Sequence, residues 1–121
     1  MPNRDRERPR RGAGGGDGAG LTRSNEPAVL ILTSLAAGEK HGYALAKDIE
    51  EFAGVKLGPG TLYGALSRLQ ERGWIEALPP EDRRRPYRIT TRGAESLGEH
   101  LSATQRLATT GLRRLELRPA R

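Results

Sequence analysis

Cysteine is absent from the 121 residues, which excludes disulfides, thiolate zinc sites and cysteine nucleophiles together. That absence fits a reducing compartment, and a cytoplasmic protein is expected. Aromatic side chains are scarce: one Trp, one Phe and three Tyr. Long apolar runs are missing too. The longest, Ala28–Leu32, is far short of the roughly 20 residues that span a bilayer. No apolar stretch follows the basic N-terminal residues, so neither a secretory signal nor a membrane partner is expected. Acidic residues are outnumbered, 15 against 21 Lys and Arg, for a net charge of +6. So basic a balance favours a polyanionic partner, and without a membrane segment that partner is nucleic acid.

Catalytic motifs are also lacking. His41 and His100 stand far apart, with no carboxylate or serine partner in a familiar spacing. Two histidines without cysteine make a poor metal site. Gly14-Gly15-Gly16 follows no strand and lacks the Gly-Lys-Ser/Thr end of a phosphate loop. No catalytic residue, metal or cofactor is expected. At this length the chain buries one modest core.

Residues 1–20 form a block of their own. Arg4, Arg6, Arg8, Arg10 and Arg11 precede Gly12, Gly14, Gly15, Gly16, Gly18 and Gly20, with almost nothing apolar between. Burial there cannot offset an ordering cost of about 1–2 kcal/mol per residue, so a disordered basic arm is expected. Either it reaches phosphates or it is a solubilising tail.

From Ser24 the pattern becomes helical. Ser24 or Asn25 can cap a helix with Pro27 in its first turn, followed by Val29, Leu32, Leu35 and Ala36 and stopped at Gly38. A second helix, from about Gly42 to Phe52, carries Leu45, Ile49 and Phe52 on one face and ends at Gly54. A third starts at Gly58-Pro59, buries Leu62, Ala65, Leu66 and Leu69, and closes at Gly73. Two extended runs follow, Trp74–Leu78 and Tyr87–Thr90, and predict a hairpin with a long polar tip. Thr90 then caps a helix reaching about Leu115. In it Ala94, Leu97, Leu101, Thr104, Ala108, Gly111 and Leu115 recur at steps of three and four, the seam of a helix that packs on another helix. The fold class is therefore mainly helical with a small β-hairpin. The divisions are the arm at 1–20, a domain at 21–91, the last helix at 92–117 and a tail at 118–121.

Three short helices, a basic hairpin and a long helix make a winged helix-turn-helix, and the physics suits duplex DNA. The third helix must enter a groove about 12 Å wide with small or polar side chains outward. Gly60, Gly64 and Ser67 form such a face, flanked by Thr61, Tyr63 and Arg68. Arg83, Arg84 and Arg85 at the wing suit phosphates or a narrowed minor groove. Tyr43 and Lys56 are the expected backbone contacts. A winged module that binds protein or RNA instead is the alternative. Against it stand the basic wing and a reading face on which only Glu71 is acidic.

Residues from about Leu30 to Leu97 resemble the PadR family of bacterial regulators. The resemblance rests on His41-Gly42-Tyr43-Ala44-Leu45, on Gly58-Pro59-Gly60-Thr61-Leu62-Tyr63-Gly64-Ala65-Leu66, on Leu69-Gln70-Glu71-Arg72-Gly73-Trp74-Ile75, and on Arg85-Pro86-Tyr87-Arg88-Ile89-Thr90 with Gly93. It departs at Gly58, where the family usually has serine, and at Gly64, where it has proline. A glycine inside a helix costs about 1 kcal/mol, so a reading helix that firms up on DNA is expected. The resemblance implies a homodimer held through Leu97, Leu101, Ala108, Leu112 and Leu115, an inverted-repeat operator, and repression on the bacterial nucleoid. It also implies release by a small aromatic effector, for which Trp74 is the candidate contact.

Overall fold

Prolines and glycines punctuate this chain where backbone geometry changes, and the elements fall between them. The computed structural model describes residues 26–119, so the basic arm and the caps expected at Ser24 and Asn25 lie outside it. The order is α1 (Glu26–Ala36), β1 (Lys40–His41), α2 (Gly42–Ala53), α3 (Pro59–Glu71), β2 (Ile75–Ala77), β3 (Pro86–Ile89) and α4 (Thr91–Glu116).

Helix α1 carries Pro27 in its first turn, where a missing N–H costs no hydrogen bond. Its buried residues are Ile31, Leu32, Ser34 and Leu35. That face is turned from the expected one: Val29 is half-buried and Ala36 is exposed. Ser34 is the polar member, and it is satisfied. Its hydroxyl donates to Asp48 Oδ2 at 2.6 Å, and its carbonyl accepts from Lys40 Nζ at 2.6 Å. One serine thereby ties α1 to both α2 and β1.

Helix α2 buries Leu45 and Ile49 completely, but Phe52 is 48% exposed. Phe52 was expected on the buried face. The helix ends one residue later, and Gly54 follows in the left-handed region at φ 68°. The chain around that turn brings Ala53, Val55 and Leu57 against the core in place of the phenyl ring.

Helix α3 opens on Gly58 in an extended conformation with Pro59 at its start, and runs unbroken through Gly60 and Gly64. Leu62, Ala65, Leu66 and Leu69 face inward. Gly73, at φ 77°, reverses the chain into β2.

The sheet has three strands in the order β1-β3-β2, all antiparallel. Strand β1 is an addition to the expected hairpin, since two residues leave no periodic trace in a sequence. Residues 78–85 separate β2 from β3 as the long tip expected, and that tip closes on a tight turn. Glu81 and Arg84 exchange backbone hydrogen bonds at 2.7 and 2.8 Å. Asp82 and Arg83 between them have φ of 49° and 66°. Two central residues of positive φ make the tight primed turn whose twist matches a β-hairpin.

Thr90 caps α4 by accepting from the Gly93 N–H at 3.1 Å, while its own hydroxyl donates to the Gly73 carbonyl at 2.6 Å. Gly93 is buried against strand-end backbone: a Cβ there would overlap the Trp74 carbonyl oxygen and stand 2.9 Å from its carbon. Past Leu97 the helix leaves the core, and Leu101, Leu107, Leu112, Leu115 and Leu117 are exposed.

Candidate nucleic-acid interface

The outward face of α3 follows from its inward one. With Leu62, Leu66 and Leu69 buried, Gly60, Thr61, Tyr63, Ser67 and Arg68 are exposed and Gly64 is half-buried. Small residues there let a groove edge approach the backbone. Arg68 folds back along the helix, so that a Cβ on Gly64 would lie 3.6 Å from its guanidinium. Glu71 is exposed at the end of the same helix.

Tyr63 does not project freely. It is 50% exposed, and its ring rests on Gly42 at the start of α2, in the space that a Cβ at that glycine would take. Next to Gly42, Tyr43 is 69% exposed. Lys56 is exposed in the turn between α2 and α3.

The arginine triplet of the wing divides into roles. Arg84 Nη1 lies 3.3 Å from Nε2 of His41, which can accept from it in the tautomer that leaves Nε2 bare. Arg85 Nη1 donates to the Leu78 carbonyl at 3.1 Å, bracing the far side of the hairpin. Arg83 sits at the tip and has no side-chain hydrogen bond or ion pair among the described residues. His41 also pairs with Pro86 across the sheet. The structure thus gathers Tyr43, Tyr63 and Arg84 around the beginning of α2. Sequence reasoning marks His41 and Gly42 only as family signature and as a lone histidine, outside the contact set. The available signal was a glycine at a helix start with nothing in the backbone pattern to require it.

The residues expected in a dimer seam are split. Leu97 is 6% exposed and belongs to the protomer's own core. Leu101, Ala108, Leu112 and Leu115 are exposed along α4. Trp74, the expected effector contact, is 8% exposed and has the Arg72 guanidinium over its ring at 5.1 Å. Beside it a crevice lined by Pro27, Ala28, Ala65, Arg68, Leu69 and Arg72 holds about 20 Å³. A water fits there, whereas an open depression of about 440 Å³ lies between Glu71, Arg72, Trp74 and Arg92.

Among the described residues no three His, Cys, Asp or Glu side chains gather to hold a metal, and no helix is long and apolar enough to cross a membrane.

Three helices, an exposed small-residue face on the third and a basic hairpin beside it define a winged helix-turn-helix. Residues 31–99, more than half of the chain, match the transcriptional regulator PadR-like family, and the chain belongs to that family. Over 86 residues it is 41% identical to an uncharacterized 37.1 kDa protein in transposon TN4556 of Streptomyces fradiae, covering 71% of this chain and 25% of that one. Over 93 residues it is 32% identical to the transcriptional regulator YqjI of Escherichia coli, covering 75% of this chain and 45% of that one. The chain therefore spans less than half the length of these two relatives. Among solved structures it is similar to a PadR family transcription regulator from Clostridium difficile, with a TM-score of 0.67 and 23% identity over 74% of this chain and 97% of the other. A transcriptional regulator from Clostridium thermocellum is similar at a TM-score of 0.62 and 26% identity over 78% and 93%.

Proposed function

We propose that this chain is a sequence-specific duplex-DNA-binding regulator, acting as a homodimeric repressor on an inverted repeat. One observation carries the reading: α3 through Tyr63 and the arginine wing through Arg84 both reach the dipeptide His41-Gly42, which sets the reading helix beside the wing. In this reading Gly60, Gly64 and Ser67 admit the major-groove edge. Thr61, Tyr63 and Arg68 contact bases or flanking phosphates, and Tyr43, Lys56, Arg83, Arg84 and Arg85 contact the backbone or the adjacent minor groove. Residues 21–91 form the DNA-binding unit, and the site of action is the cytoplasm.

The homodimer reading is supported by α4. Leu101, Ala108, Leu112 and Leu115 recur along one stripe of a helix exposed in the single chain. Two such helices, pairing, would set two α3 helices about 34–36 Å apart for successive half-sites. A small aromatic effector belongs to this reading as a ligand of the open depression between Glu71, Arg72, Trp74 and Arg92, since the closed crevice on the other side of Trp74 is too small.

The deciding experiment is a mobility shift with the DNA upstream of the protein's own gene. A shift that depends on sequence and falls steeply with salt is expected. No such shift would favour a winged module that binds protein or RNA.

A further inference from the structure

We infer that His41 and Gly42 are positioning residues that fix the reading helix relative to the wing, and that glycine at 42 is what lets Tyr63 lie where it does. The inference rests on the DNA-binding reading and adds to it a reason why two residues outside the expected contact set govern specificity.

Gly42 is the first residue of α2 and is buried. Positive φ occurs at Gly38, Gly54 and Gly73 but not at Gly42. Its backbone is one any residue could adopt, so conformation does not call for glycine there. Space does. A Cβ at 42 would overlap the Tyr63 hydroxyl and lie 2.9 Å from Cζ and 3.3 Å from Cε1 of the same ring. The obstacle is the far end of one side chain rather than backbone. A methyl group at 42 would therefore displace Tyr63, and the helix face that carries it, before it unfolded the domain.

The neighbouring residue holds the other element. His41 pairs with Pro86 in β3, and its Nε2 receives Arg84 from beyond the hairpin turn. One dipeptide thus touches the wing on one side and the reading helix on the other. A duplex must meet both at once, and a site loses function when its parts are displaced by about 1 Å. The junction sets that spacing without itself reading a base.

The test compares wild type with Gly42→Ala, Tyr63→Phe, their double variant and His41→Ala. Each is the full chain, titrated on the shifted upstream duplex and on a scrambled duplex of equal length. The readout is the ratio of the two affinities together with the salt slope. Gly42→Ala should lower the ratio at least tenfold while binding to the scrambled duplex stays within twofold. Tyr63→Phe removes the overlapping hydroxyl and with it any DNA contact of that hydroxyl, so the cycle is read against the Tyr63→Phe single variant: in that background Gly42→Ala should cost at least threefold less than in wild type, a non-additivity that two independent sites would not show. His41→Ala should lower the ratio with the salt slope unchanged, because Arg84 keeps its charge. An unchanged ratio in Gly42→Ala, or losses that simply add in the double variant, overturns the inference. If Gly42→Ala fails to fold, Gly42→Ala with Tyr63→Ala replaces it: recovery of the melting transition supports the close approach, and no recovery overturns it. Should wild type itself shift no duplex, the DNA reading falls; should wild type shift and the variants match it, the junction alone falls.

Discussion

Single side chains decide more here than their size implies. Gly93 has the Trp74 carbonyl where a Cβ would stand, and that obstacle is backbone that cannot swing away. Gly93→Ala should therefore destabilise the chain by about 1–3 kcal/mol, the usual cost of overpacking. The loss should appear as a lower urea midpoint at unchanged slope. Ser34→Ala works by the opposite route, removing the donor to Asp48 Oδ2. Since the acceptor is an ionised carboxylate beside Lys40, the expected loss is about 1.5–3 kcal/mol. A melting curve within error of wild type would show that water replaces the serine. Leu45, Ile49, Leu62 and Leu66 needed no structure to be assigned to the core, because each lies on an unambiguous helical stripe. Phe52 and Ala36 depart from their stripes because they sit where their helices end and the periodicity loses its meaning.

Elements show a sharper division between local and distant causes. The limits of α2 and α3 follow from Gly54, Gly58, Pro59 and Gly73, residues whose backbone preferences act wherever the chain goes. The wing tip does not follow so simply, because Arg83, unlike Asp82, is an unusual occupant of positive φ. Replacing them by Asn and Gly, the pair favoured in this turn, should keep the hairpin. It removes one cation and one acid together, so Arg83→Ala is the cleaner probe of contact. That single change should lower the dependence of log affinity on log salt by about one unit. An unaltered slope would take Arg83 out of the DNA contacts. For α4 the decisive property is solution assembly. Leu112→Glu with Leu115→Glu should convert a dimer to a monomer by light scattering, with the winged domain's circular dichroism kept. A double variant that remained dimeric would move the interface elsewhere. Leu97 is no test of it, being committed to the protomer's core.

At the scale of the whole chain, charge outweighs every single contact. A net charge of +6, to which arm, reading helix, wing and last helix all contribute, should make any DNA affinity fall steeply with salt, the counterion-release signature. Deleting residues 2–20 removes Arg4, Arg6, Arg8, Arg10 and Arg11. Binding should weaken at low salt with a shallower salt dependence, and an unchanged titration would identify the block as a tail.

What the amino-acid order determined alone is the sequence of helices, the inward face of α3 and most of that of α2, the hairpin and its basic character. All of these arise from periodicity and from the backbone preferences of proline and glycine, which act within a few residues. What only the tertiary structure decided is the third strand at Lys40 and His41, the tight turn at Asp82 and Arg83, the closure of Trp74 over Gly93, and the junction that joins reading helix to wing. Most of these depend on residues far apart in the chain, 41 with 84, 42 with 63 and 74 with 93. No local pattern encodes such contacts, because each exists only once the core has brought the two segments together.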